Sequence, residues 1–137
     1  MFFCQTIRDG MPLTMISYGV LFIEALVFTI LLEMAAFFIF KELLLGRSSD
    51  IPVKDIVFSV IFCSFTTLPY VWFLFPEILG ATVVCPVVSE FFAVTVEAFI
   101  YFFVLKIGLG RSLAVSLICN AFSLLAGLLA ARYIWSG

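Results

Sequence analysis

Carboxyl side chains interrupt two strongly apolar stretches of the chain. Glu90 and Glu97 lie in SEFFAVTVEAFIYFF at 89–103, Glu33 lies in ILLEMAAFFIF at 30–40, and neither stretch contains Lys or Arg. Seven residues separate Glu90 from Glu97, so the two share one face of a helix. Carboxyl groups in such settings exchange protons, bind cations or hydrogen-bond between helices. Their surroundings decide which of these they do.

The composition indicates that these surroundings are lipid and protein rather than water. Of 137 residues, 65% are hydrophobic and 12% are charged, and the mean hydropathy is +1.30. Soluble domains have about 45–50% apolar and about 25% charged residues, so this chain has too little polar surface to cover itself in water. We therefore expect an all-α, polytopic integral membrane protein in the cell membrane, with the lipid bilayer as its main partner.

Four segments are long and apolar enough to cross the ~30 Å hydrocarbon core as helices, which takes about 20 residues each. They are 14–41, 56–75, 81–105 and 112–134. Transmembrane strands would instead be short and alternating. The connections are short, so we expect a single membrane domain over 1–137.

Several residues mark expected helix ends and irregularities. Ser49 or Asp50 is expected to cap the second helix. Pro69 is expected to kink that helix, Pro76 to end it, and Gly80 to break the chain before the third helix.

Basic residues are distributed unevenly among the connections. The first contains Lys41, Arg47 and Lys54, the third contains Lys106 and Arg111, and the second contains none. Because cytoplasmic loops are enriched in Lys and Arg, we expect the first and third connections in the cytoplasm. Both termini would then lie on the non-cytoplasmic side.

The two halves of the chain resemble each other. ILLEMAAFFIFKELLLGR (30–47) and VTVEAFIYFFVLKIGLGR (94–111) each have Glu at the fourth position and end in Gly-Arg. The helix after each segment contains a similar polar pattern, CSFTT at 63–67 and CNAFS at 119–123. We therefore predict two repeated helical hairpins of the same orientation, 14–75 and 81–134, as in parallel transporter repeats.

Spacing from the basic residues places polar side chains of all four helices at one depth. At about 1.5 Å per residue, Glu33 lies ~12 Å from Lys41 and Asn120 lies ~13 Å from Arg111, close to the bilayer midplane. Glu97 and Ser64 fall at the same level on the other two helices. The candidate residues for an intramembrane proton or ion site are Glu33, Glu97, Glu90, Asn120, Ser64 and Thr67.

An ionised carboxylate in hydrocarbon is costly, so these glutamates should point into the bundle or toward a partner. Since no basic residue lies at their depth, we expect them to be neutral or to share a proton with Asn120, Ser64 or Thr67. Three interpretations stay open: hydrogen bonds that only join helices, a proton or cation path, and contact with a missing subunit.

The residue types exclude several kinds of chemistry. The chain has no histidine, which excludes histidine-ligated haem or zinc and an imidazole base. Its four cysteines form no C-x-x-C pair, and we expect them to be structural, the alternative being a cluster shared with a partner subunit. Without a nucleophile–base pair or a phosphate-binding loop, we expect no enzyme and no cofactor. The net charge of −2 with scattered basic residues predicts no nucleic-acid binding.

Two segments, SFTTLPYVWFLFP (64–76) and SLICNAFSLLAGLL (116–129), carry a resemblance. Across residues 56–128 the chain resembles uncharacterised small prokaryotic four-helix membrane proteins with tandem Asn-x-x-Ser/Thr hairpin repeats. Ser64 stands where that pattern has its first Asn. The resemblance implies the four-helix repeated fold and carries no activity.

Two functions fit these observations. The small size and the absence of a soluble part favour a non-catalytic subunit of a larger membrane complex, ion-translocating or redox-driven, with other membrane subunits as partners. The alternative is a homo-oligomeric proton- or cation-coupled carrier or channel that uses Glu33, Glu97 and Asn120.

Overall fold

The described residues form helices and no strands. The computed structural model describes residues 15–46, 51–80 and 82–135, with side chains at 18–43, 45–46, 51–80 and 82–129. The helices are α1 (Met15–Leu45), α2 (Val53–Pro69), α3 (Phe75–Leu79), α4 (Val84–Val104) and α5 (Leu109–Trp135). A π-helical turn at Tyr70–Leu74 joins α2 to α3. The all-α prediction is confirmed. The predicted capping residues Ser49 and Asp50 lie outside the described residues, and the prediction of a cap there is wrong, since α2 begins at Val53 with Pro52 at the N-cap position and no side-chain cap.

Four helical segments are long and apolar enough to cross a bilayer. They are Tyr18–Leu43, Val53–Leu79, Val84–Val104 and Leu109–Leu129, with mean hydropathies of 1.8 to 2.3. Spans of 21 to 27 residues meet the length that the hydrocarbon core requires. The four predicted membrane helices are confirmed, and the chain is a multi-pass membrane protein.

The second span continues past its predicted end. Pro69 lies within helical backbone, and the π-helical turn follows it directly. Pro76 does not end the helix. The carbonyl oxygen of Trp72, four residues earlier, loses its helical N–H donor there and accepts a hydrogen bond of 3.1 Å from the Tyr18 hydroxyl instead. The break comes at Gly80, whose φ of +63° lies in a region that glycine enters without a steric penalty.

The four spans form an up-and-down bundle. Helix α1 packs against α2 and α5, and α4 packs against α5 and α2, so each span has two neighbours and the ring is closed. The contact between α4 and α5 is the most extensive of these helix pairs. We call the end of the bundle that carries Lys41, Lys54, Lys106 and Arg111 the basic end.

Burial follows the helical period. In α4 one row of buried side chains recurs every four residues, and the buried Ala98 lies beside it. The row consists of Cys85, Ser89, Ala93, Glu97 and Tyr101. Residues four apart lie one above the other on a helix, and such rows form the ridges through which helices pack. One continuous stripe of α4 therefore faces the interior.

Buried positions of α2 and α5 correspond at the predicted hairpin register. Ile56, Ser59, Val60, Cys63 and Ser64 are buried, and so are the residues 56 positions later, which are Ser112, Val115, Ser116, Cys119 and Asn120. The first helices of the two halves agree less well, since Cys85 is buried whereas its counterpart Leu21 is 39% exposed. The repeated-hairpin arrangement stays a prediction.

The apolar core lies toward the basic end. It contains Ala36, Phe37, Leu45, Ile56, Val60, Cys63, Tyr101, Leu105, Val115 and Cys119. The outward faces are also apolar, with large side chains such as Phe91, Phe103 and Leu129 at least 69% exposed. Since helices of this composition cross membranes, these faces suit acyl chains.

Candidate functional site

Glu33 is buried at the contact between α1 and α2. Its side chain is 1% exposed, and the Ser64 hydroxyl donates a hydrogen bond of 2.8 Å to its Oε2. The same hydroxyl lies 3.1 Å from the carbonyl oxygen of Val60, one turn earlier in α2. Ser64 is therefore the side chain through which α2 contacts this carboxyl group.

Glu97 accepts hydrogen bonds from three side chains. It is 1% exposed and receives donors from two neighbouring helices. The Thr67 hydroxyl of α2 lies 3.2 Å from its Oε1, and the Ser116 hydroxyl of α5 lies 3.2 Å from its Oε2. The Asn120 amide nitrogen also donates to Oε2. Glu97 thus joins three of the four spans.

The orientation of the Asn120 amide follows from a second contact. Its Nδ2 lies 3.0 Å from the backbone carbonyl oxygen of Ser116, a group that can only accept. The nitrogen and not the oxygen must therefore lie on this side of the amide. Asn120 consequently presents an N–H donor, not a lone pair, to Glu97.

Each hydroxyl of the cluster has one proton and a choice of two acceptors. Ser64 can donate to Glu33 or to the carbonyl oxygen of Val60. Thr67 can donate to Glu97 or to the carbonyl oxygen of Cys63, which lies 3.0 Å away. Ser116 can donate to Glu97 or to the carbonyl oxygen of Val94, also 3.0 Å away. A hydroxyl that donates to the backbone presents lone pairs to its carboxyl neighbour. The cluster can therefore accept a carboxylate or a carboxylic acid by hydroxyl rotation alone.

The two carboxyl groups have no basic partner. Within the described part of the chain, neither Glu33 nor Glu97 contacts a Lys or Arg, and the described Lys and Arg side chains lie at the basic end. The two carboxyl groups are close enough to interact electrostatically. Like charges in a low-dielectric site strongly disfavour simultaneous ionisation.

The structure brings five of the six predicted site residues together. Glu33, Glu97, Ser64, Thr67 and Asn120 form one buried layer near the middle of the spans. The sixth, Glu90, is half-buried and makes no hydrogen bond to a described residue, so the structure does not place it in this layer.

Two residues of the site were not predicted. Ser116 donates to Glu97 from a position four residues before Asn120, and this helical spacing could have identified it. Tyr101 lies four residues after Glu97 and is completely buried. Its ring contacts that of Phe37 with centroids 5.7 Å apart.

Further hydroxyl groups extend the polar interior toward both ends of the bundle. Ser112 and Ser59 are buried on the side of the basic end, and Ser89 is buried on the opposite side. At about 1.5 Å per residue, Ser112 and Ser89 each lie ~12 Å from the Glu97 and Asn120 layer. Polar groups are therefore present inside the bundle over most of the thickness of a hydrocarbon core.

The described residues contain no group of three or more His, Cys, Asp or Glu side chains that could hold a metal ion. Buried thiols are present at Cys63, Cys85 and Cys119. Comparison with protein-family models, curated proteins and solved structures finds no match to this chain.

Proposed function

We propose that this protein carries protons across the lipid bilayer, with Glu33 and Glu97 as the proton-exchanging groups. The observation that carries the proposal is the burial of two interacting carboxyl groups in one layer, with hydroxyl partners that serve both protonation states. Intramembrane acidic side chains that face a bundle interior are typical of proton relays.

Helix association alone does not require this arrangement. Interhelical hydrogen bonds in membranes contribute about 0.6 kcal/mol each on average, and Gln could form them without an ionisable group. Two carboxyl groups in one layer add electrostatic repulsion whenever both ionise. Their presence favours a role in which a proton is gained and lost.

The orientation of the polar groups favours a proton over a metal cation. Asn120 directs an N–H donor to Glu97 Oε2, and this donor would repel a cation at the same oxygen. Cation sites for hard ions need several oxygen acceptors turned inward. Hydroxyls that can donate or accept suit a group that alternates between acid and base.

Both carboxyl groups find their partners inside one chain. Glu33 and Glu97 are each 1% exposed, so neither needs contact with a missing subunit. Membership of a larger complex stays a prediction from the sequence. Native mass measured after purification in mild detergent separates the two functions, since co-purifying foreign subunits favour the complex and a defined homo-oligomer favours the carrier.

Proton flux into vesicles tests the proposal. The purified protein is reconstituted into vesicles that contain a pH-sensitive dye, and a potassium diffusion potential drives proton entry. We expect faster acidification than in protein-free vesicles. The variants Glu33→Gln and Glu97→Gln should reduce it to the protein-free rate, because an amide cannot release a proton.

Glu24→Gln is the matched control. Glu24 lies on α1 like Glu33 but is exposed on the bundle surface, so its substitution should leave the flux unchanged. A wild-type flux no greater than that of empty vesicles would overturn the proposal, as would full flux in the double variant Glu33→Gln, Glu97→Gln.

A further inference from the structure

An apolar groove lies on the outer surface of the bundle where α2 and α4 meet. Its volume is about 420 Å³, within the range of roughly 300–1,000 Å³ that small-molecule sites occupy. Phe62 and Thr66 of α2 form one wall, and residues of α4 from Val96 to Val104 form the other. The Thr66 hydroxyl donates a hydrogen bond of 2.7 Å to the carbonyl oxygen of Phe62, so its proton is not available to a ligand. The groove therefore suits a hydrocarbon chain.

The groove occupies one half of the bilayer thickness. Thr67 and Glu97 hydrogen-bond to each other and mark the buried layer near the middle of the spans. At about 1.5 Å per residue, Thr66 and Val96 lie within ~2 Å of this layer, and Val104 lies ~10 Å from it toward the basic end. The hydrocarbon of one leaflet is about 15 Å thick. A partner's transmembrane helix would pack along both leaflets, whereas the acyl chain of a lipid needs only one.

Two lysines lie beyond the basic end of this groove. Lys54, Phe58 and Phe62 follow one another at four-residue spacing in α2, so they share one face of the helix. The rings of Phe58 and Phe62 are stacked with centroids 5.8 Å apart. Lys106 follows the last residue of α4 by two positions. Both lysines are exposed, and within the described ranges neither forms an ion pair.

The depth of these lysines is that of lipid headgroups. At the same rise per residue, Lys106 lies ~14 Å and Lys54 ~20 Å from the buried layer. The hydrocarbon core ends at about 15 Å from the bilayer middle and the headgroup region at about 20–22 Å. Asp55, the acidic neighbour of Lys54, belongs to the row of the buried Ser59 and Cys63 and lies on the interior side of α2. The groove side therefore presents positive charge alone at this level.

We propose that this groove binds a phospholipid with an anionic headgroup, with one acyl chain between α2 and α4 and the phosphate between Lys54 and Lys106. Basic pockets between transmembrane helices bind anionic headgroups through such charges, and burial of the acyl chain against apolar walls adds to the affinity. The lipid covers the seam between α2 and α4 outside the buried layer. It contacts no carboxyl group of that layer, so the inference is independent of the proposed proton transport.

Native mass spectrometry of the protein in mild detergent tests this proposal. The protein is titrated with dioleoyl phosphatidylglycerol or with dioleoyl phosphatidylcholine, which have the same acyl chains and differ in the net charge of the headgroup. We expect phosphatidylglycerol to be retained in preference, with one molecule per chain at the lowest concentrations. Lys54→Gln and Lys106→Gln should each weaken its binding about fivefold, the contribution of one lysine close to an anionic surface.

Matched variants separate the headgroup contact from the acyl-chain contact. Lys41→Gln removes a positive charge at the same end of the bundle from α1, which does not line the groove, and should leave binding at the wild-type level. Val96→Trp fills the groove and should reduce binding of phosphatidylglycerol. Phe91→Trp is its control, because Phe91 is 75% exposed on α4 and lies ~9 Å from Glu97 in the other leaflet.

Equal retention of the two lipids would overturn the proposal, as would wild-type binding of phosphatidylglycerol in the double variant Lys54→Gln, Lys106→Gln. An equal loss in Lys41→Gln would show only a general attraction of the basic end for anionic lipid. A homodimer that Val96→Trp abolishes would assign the groove to a second copy of the chain. Either result would refute the lipid site.

Thermal unfolding gives a second measurement that compares each variant with itself. Because a ligand stabilises the state that binds it, phosphatidylglycerol should raise the unfolding midpoint of the wild type and of Lys41→Gln more than phosphatidylcholine does. This difference should disappear in the double variant Lys54→Gln, Lys106→Gln. An undiminished difference there would refute the site even if the variant is less stable than the wild type.

Discussion

Hydroxyl groups with two acceptors determine how the buried glutamates are accommodated. Ser64, Thr67 and Ser116 each lie within hydrogen-bond distance of a carboxyl oxygen and of a backbone carbonyl oxygen. The backbone carbonyl is always an acceptor, so the hydroxyl oxygen can face the carboxyl group with its proton or with a lone pair. The charge of the carboxyl group can change while the heavy atoms stay in place.

This flexibility predicts that Glu97→Gln folds. The amide oxygen can accept from Asn120 and Ser116, while the amide nitrogen donates to Thr67, whose proton turns to the Cys63 carbonyl oxygen. Stability in detergent should change by less than about 1 kcal/mol. Glu97→Lys places a longer side chain and an ammonium group against the Asn120 donor, and it should cost about 3–5 kcal/mol.

Unfolding midpoints of the two variants in the same detergent check this prediction. Equal stability of Glu97→Gln and Glu97→Lys would mean that residue 97 can reach water or lipid headgroups, and the interior placement would be wrong.

At the scale of helices, the ends at the basic side differ in backbone strain. The α4–α5 connection has Lys106 at φ +53°, whereas α1 ends before Gly46 at φ +82°. The left-handed region costs a non-glycine residue roughly 1–2 kcal/mol, and glycine enters it freely. The α4–α5 connection is therefore strained at one residue, and the α1 end is not.

Exchanging these residue types should change stability in opposite directions. Lys106→Gly should stabilise by about 0.5–1 kcal/mol, less than the relieved strain because glycine adds entropy to the unfolded chain. Gly46→Ala should destabilise by about 1 kcal/mol. An added Cβ at Gly46 would meet no atom within 4 Å, so a measured loss reports backbone conformation alone. Thermal unfolding in detergent measures both changes in stability. A lower unfolding midpoint for Lys106→Gly than for the wild type would show that the backbone at Lys106 is not strained.

At the scale of the whole molecule, the bundle has a charged and an uncharged end. All the described Lys and Arg side chains lie at the basic end, because α1 and α4 finish there and α2 and α5 begin there. They are Lys41, Lys54, Lys106 and Arg111. The bias of basic residues toward the cytoplasm predicts that this end is cytoplasmic. Both termini would then lie outside.

Labelling of single introduced cysteines in intact cells tests this orientation. Cys4 is replaced by Ser, and the buried thiols of Cys63, Cys85 and Cys119 should react slowly with a membrane-impermeant reagent. A cysteine at position 48 should react only after the cells are opened. Reaction from outside in intact cells would reverse the topology.

The sequence alone was sufficient for the membrane helices and for most of the residues in the buried layer. Runs of about 20 apolar residues determine spans because unpaired backbone groups are excluded from hydrocarbon. The cost of a buried carboxyl group directs Glu33 and Glu97 inward whatever the neighbours are. Spacing along each helix then places Ser64, Thr67 and Asn120 at the same depth, since a helix rises by a constant amount per residue.

Only the tertiary structure decided which of these groups meet. Depth along an axis does not specify rotation about it or the order of neighbouring helices. It was the ring of α1, α2, α4 and α5 that gave Glu97 three described donors and Glu33 one. A residue whose side chain looks like ordinary packing, such as Ser116, acquires a role only when another helix is placed against it. Its hydrogen bonds depend on contacts between distant parts of the chain, and local periodicity contains no information on such contacts.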